Sequence, residues 1–211
     1  MAKQEPYPSH QLSTVNLTRL LTVGGLCGFA WAAGLRGFMS QVAGDEAGVE
    51  WVGTFLWILL PGMLTGVLLA WAEYVRRTGG RRHWRWLALS PLLFTAVLIP
   101  DPLGVLENGI GGGAIGVPLY GMVGGYAISG RGPRSGRLVA GFVAFSVVPI
   151  WALTVESVAP HLTLDTPQGL WVALYYYSFM ALLMLACAIP HRPIEQHDAR
   201  APRHTADRHL L

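Results

Sequence analysis

Charge is what this sequence lacks most. Asp, Glu, Lys and Arg make up 13% of its 211 residues, about half of the roughly 25% usual in soluble globular domains. That composition excludes an ordinary soluble domain. Lysine is nearly absent, with Lys3 its single instance, and arginine supplies the other basic residues. Together with abundant Gly and Ala, this bias associates the chain with a high-GC bacterial genome. Cysteine is also scarce. Cys27 and Cys187 both sit inside apolar runs, which excludes a disulfide framework and reads them as small packing residues. Catalytic signatures are missing too: there is no HExxH, no GxSxG and no aspartate-rich pair for a diphosphate-bound magnesium. The glycine run Gly109–Gly113 lacks the Lys-Ser/Thr that would follow in a phosphate-binding loop. No cofactor and no metal is expected, and the tail histidines His191, His197, His204 and His209 lack ligand spacing.

What is present is a series of long apolar runs. They extend over about Leu20 to Met39, Trp51 to Ala70, Trp84 to Ile99, Asn108 to Ser129, Leu138 to Val155 and Gly169 to Ile189. Each approaches the roughly 20 residues a helix needs to cross a 30 Å hydrocarbon layer, and the third is near the minimum. Lipid offers no water to unpaired backbone groups, so these segments are predicted to be helices. The expected architecture is an all-α polytopic membrane protein. It has a polar leader over 1–16, a bundle of about six transmembrane helices over 17–190 and a solvated, disordered tail over 191–211. Ala30-Trp31-Ala32 resembles a signal-peptide cleavage site, but the leader before it carries Glu5 and two prolines, which argues against cleavage.

The connections alternate in charge. Arg76, Arg77, Arg81, Arg82 and Arg85 surround the second, Arg131, Arg134 and Arg137 fill the fourth, and the tail adds four more arginines. The odd-numbered connections hold Asp45, Glu46, Glu50, Asp101, Glu107, Glu156 and Asp165, with Arg36 the only basic residue nearby. The positive-inside rule therefore places both termini in the cytoplasm and the chain in the bacterial cytoplasmic membrane. Topology accounts for the basic residues, so no nucleic-acid partner is expected.

Small residues mark where transmembrane helices approach closely. Gly24, Gly28 and Ala32 recur every four residues on the first helix, and Gly62, Gly66 and Ala70 do so on the second. On the fourth, Gly112 and Gly116 are expected as contact points, with Gly121 and Gly125 further along. On the fifth, Ala140, Ala144 and Ala152 lead to Glu156. Continuing the stripes turns Arg36, Asn108 and Glu156 towards the interior at the outer ends, near Glu107, Asp101 and Glu50. An ionisable group there is a functional-site hypothesis, weighed against Arg36 snorkelling to headgroups or forming a structural tie to Glu156 first and Glu50 second. Glu73 is expected to pair with its neighbouring arginines. Of Tyr175, Tyr176 and Tyr177, at least one is expected to face inward and need a hydrogen-bond partner.

The leading expectation is a small-solute transporter or channel subunit whose substrate-binding residues are Arg36, Asn108, Glu156, Glu107 and Tyr177. The alternative is an intramembrane enzyme for a lipid or isoprenoid, with Glu156, Glu107 or Asp101 as carboxylate acid or base. A further alternative is an accessory or assembly membrane protein. The expected partners are the lipid bilayer, a small-molecule or lipid substrate and a membrane partner protein.

Overall fold

The computed structural model describes residues 16–100, 103 and 110–194. The leader up to residue 15, the candidates Asp101, Glu107 and Asn108, and the tail from residue 195 lie outside the described residues. Among those described the chain is all-helical, with no strand, in six helices. They are α1 (Leu17–Ala43), α2 (Trp51–Arg77), α3 (Trp84–Leu98), α4 (Ile110–Ile128), α5 (Arg134–Val158) and α6 (Pro167–Cys187). Four of them, α1, α2, α5 and α6, are long and apolar enough to cross a membrane, whereas α3 and α4 are shorter apolar helices.

Local chemistry sets the ends. Asn16 caps α1 by accepting from the Arg19 N–H, and Thr166 caps α6 by accepting from the Gly169 N–H just ahead of Pro167. Gly79 and Gly80, both at positive φ, turn the chain from α2 into α3. Prolines alter the winding inside helices. Trp51–Leu59 at the start of α2 is π-helical and meets Pro61, which has no N–H to give. All of α3 is wound as a 3-10 helix around Ser90-Pro91, an uncommon length for that form. α5 breaks at Ser146, ahead of Pro149.

α1 packs on α2, α2 on α3, α3 on α4, and α4 on both α5 and α6, while α6 returns to α1. The α1–α2 seam is the glycine interface expected from the sequence. A Cβ built on Gly24 would lie 2.6 Å from the Gly66 carbonyl oxygen, and one on Gly28 would lie 2.9 Å from Gly66 Cα. Ala32 and Ala70 fill the seam beside Gly62 and Gly24. Two backbones in direct contact leave no room for any larger side chain.

α4 corrects the expectation for Gly116. Among the described residues no heavy atom of another element lies within 4 Å of a Cβ built there, so this turn is open on that side. The close contacts fall one turn and more further on, where Gly121 meets Leu183, Gly124 meets Met184, and a Cβ on Gly125 would come within 2.6 Å of the Cys187 backbone. Pro118 lies between the two sets. The tail boundary also shifts. His191 closes a 3-10 turn, the Pro193 carbonyl accepts from Arg76, and Ile194 packs with Ala72, Val75 and Trp84. Residues 191–194 thus belong to the folded bundle.

Candidate functional site

The outer-end candidates centre on Arg36, which is half-buried on the last turns of α1. Its Nε donates to Thr54 Oγ1 at 3.3 Å, one terminal nitrogen donates to Ser40 Oγ at 2.7 Å, and the other donates to the Gly48 carbonyl. Ser40, one helical turn on, returns its hydroxyl to the Arg36 carbonyl at 3.2 Å. Thr54 is buried at the π-helical entrance of α2. The guanidinium therefore ties the end of α1 to the α1–α2 loop and to the first turn of α2. Three of its five N–H donors are used, all on neutral oxygens.

The expected Arg36–Glu156 tie does not form. Glu156 is exposed on α5, and no ion pair joins Arg36 to a carboxylate among the described residues. Helix geometry gives the reason. A stripe advancing by four residues drifts about 40° per step, so the four steps from Ala140 to Glu156 rotate it about 160°. Ala140 and Ala144 are buried, and the inward face then continues through Val147 and Val155 while Ala152 and Glu156 turn outward. Glu50, the second expected partner, is exposed where α2 begins. Ser40 and Thr54 were missed by sequence reasoning. Ser40 was legible in principle, as a hydroxyl four residues after the arginine, whereas Thr54 was not.

Beneath Arg36 the bundle centre is filled. Phe38 stacks on Tyr176 at 5.1 Å between ring centroids, and Tyr176 stacks on Trp151 at 4.9 Å. Trp31 meets Phe179 edge-on at 5.7 Å, and its Nε1 donates to the Phe179 carbonyl at 2.8 Å. The three tyrosines point apart, as expected. Tyr175 donates to the Gly34 carbonyl at 2.6 Å, Tyr177 donates to the Val148 carbonyl at 3.0 Å, and Tyr176 lies within the ring stack. Tyr177, a predicted binding residue, is thus directed to α5 and is not brought together with Arg36.

A second ionic cluster sits at the opposite end. Glu73 and Arg76 are both buried on α2 and form a two-bonded pair, Nε to Oε2 at 2.7 Å and a terminal nitrogen to Oε1 at 2.8 Å. Arg77 Nε reaches Oε1 at 2.6 Å. This is the pairing the sequence led us to expect. His161 from the α5–α6 loop contacts the Gln41 carbonyl beside the α1–α2 loop, whereas Arg85, Arg131 and His191 lie within electrostatic reach of one another. Among the described residues no group of three His, Cys, Asp or Glu could hold a metal ion. Comparison with known proteins supplies no relative, since no family model, curated protein or solved structure matches the chain.

Proposed function

We propose that this chain is a six-span protein of the bacterial cytoplasmic membrane, with both termini cytoplasmic. In this reading it serves as a small-solute transporter or channel subunit that receives an anionic group at the outer end of α1. The observation that carries it is the Arg36 guanidinium, half-buried and bonded, among the described residues, only to hydroxyls and a carbonyl. Neutral acceptors orient an arginine without cancelling its charge, so the outer end keeps a fixed cation with two N–H groups to spare. The winding of α3 supports six crossings. Fifteen residues in 3-10 form rise about 2.0 Å each and reach about 30 Å, the thickness of the hydrocarbon layer. Energy coupling would come from an ion gradient or a membrane partner protein.

Sidedness is checked by cysteine labelling in intact cells, in a background without Cys27. Substitutions at Ala47 and Thr163 should react with an impermeant reagent from outside, and those at Thr78 and Ser135 should not. Outside labelling at Thr78 would overturn the topology.

Anion recognition is checked on purified protein in detergent, with phosphate and with small carboxylates as probes. Wild-type protein should gain thermal stability with at least one of them, and Arg36→Gln should fold yet lose that gain. A wild-type melting point indifferent to every anion would instead favour an accessory or assembly role. The stacked rings that fill the centre between α1, α5 and α6 already lend that second reading support. The enzyme reading draws less, because Glu156 is an exposed side chain with no enclosure around it.

A further inference from the structure

The flank of α3 carries two adjoining clefts of opposite character. One, of about 670 Å³, is lined by Arg81, His83, Arg85 and His191 together with Trp84 and Trp86. The other, of about 520 Å³, runs on along α3 and is lined mainly by leucines, among them Leu68, Leu89, Leu92 and Leu93. Trp86 and Leu89 belong to both, so the basic cleft opens directly into the apolar one. Three residues per turn in a 3-10 helix bring Trp86, Leu89, Leu92 and Thr95 onto one line, exposed at Trp86 and Leu89 and half-buried at Leu92 and Thr95.

Two further features single this flank out. Arg131 adds its charge beside Arg85 and His191, and the sequence has no acidic residue from Tyr74 to Pro100 or from Ile110 to Val155. Glu195, four residues after His191, lies outside the described residues, and Glu73 is already bonded to Arg76 and Arg77. Beside the apolar cleft the Ser90 hydroxyl is buried and has no hydrogen-bond partner among the described residues. A buried donor left unpaired is costly and marks a place for an acceptor.

We propose that the α3 flank is a binding site for an anionic phospholipid. The phosphodiester sits among Arg81, Arg85 and His191, and an acyl chain lies along Leu89, Leu92 and Leu93. Basic pockets between transmembrane helices bind acidic headgroups in this manner, and exposed Trp86 is placed as an interfacial indole. The proposal rests on the chain being membrane-embedded, and on neither the Arg36 site nor the sidedness. Resistance to alkaline carbonate extraction tests the embedding separately.

The test uses delipidated full-length protein in detergent. Quenching of tryptophan fluorescence by brominated phosphatidylglycerol is compared with quenching by brominated phosphatidylcholine. Phosphatidylglycerol should bind more tightly by about thirtyfold, the effect of two arginines near an anionic lipid. The Arg81→Gln/Arg85→Gln double variant should lose that preference. Filling the apolar cleft with Leu92→Trp should weaken both lipids while leaving both arginines in place. Equal binding of the two lipids by wild-type protein would overturn the proposal even if no variant folds. Displacement of phosphatidylglycerol by millimolar inorganic phosphate would also overturn it, showing a site for a free anion. A preference that persists in a folded double variant would do the same.

Discussion

Gly66→Leu is expected to give little folded protein, and even Gly66→Ala should lower the melting point. A Cβ at Gly66 would lie 2.9 Å from Gly28 Cα and 3.0 Å from the Gly24 carbonyl carbon, and it would also meet the Gly24 oxygen. These are all backbone atoms of α1, which cannot swing aside as a side-chain tip can, so α1 and α2 must separate along the seam. Overpacking a close-packed interface costs about 1–3 kcal/mol, occasionally more, and the extra atoms of leucine put it at the upper end. Alanine pulls the other way through helix propensity, by about 1 kcal/mol over glycine. The steric term is expected to win. Circular dichroism melts in detergent should show Gly66→Ala lower by roughly 2–8 °C, taking the shift per kcal/mol for a chain of this size. A Gly66→Ala protein that melts with or above wild type would mean that the seam is looser than a backbone contact.

The second large effect is expected at Glu73. Removing one member of a buried ion pair strands the other charge, at a cost of about 3–5 kcal/mol. Glu73 and Arg76 qualify, with side chains only 12% and 10% exposed, and their paired bonds fix the guanidinium in one orientation. Arg76 also donates to the Pro193 carbonyl at 3.3 Å. Glu73→Ala should therefore be strongly destabilising. The double variant Glu73→Ala/Arg76→Met should recover part of the loss, because the two charges are then removed together. Arg77→Ala is the contrasting control. Its side chain is 42% exposed, and solvent screening holds such a pair to within about 1 kcal/mol. Melting points of wild type, Glu73→Ala, Arg76→Met and the double variant decide it: strictly additive single and double effects would show that Glu73 and Arg76 act independently.

The sequence by itself determined that the chain is helical and apolar, and which faces of α1 and α2 are small. These are local properties. An apolar run about 20 residues long has one way to satisfy its backbone in lipid, and a glycine stripe over two turns stays on one face whatever it packs against. The Glu73 pair was legible for the same reason, since residues three and four apart on a helix are neighbours before any tertiary structure exists. Tertiary structure decided the rest. Over four turns the drift of a four-residue stripe carried Glu156 to the exposed side of α5, while Pro118 separates the open turn of α4 at Gly116 from its contacts at Gly121 and Gly125. The π-helical entrance of α2 and the 3-10 winding of α3 set the rotation that buries Thr54 against Arg36 and aligns Trp86 with Leu89 and Leu92. Which oxygen a guanidinium meets depends on the axial rotation and the separation of two helices at once. Both are consequences of all the packed side chains together, and no stretch of sequence holds them alone.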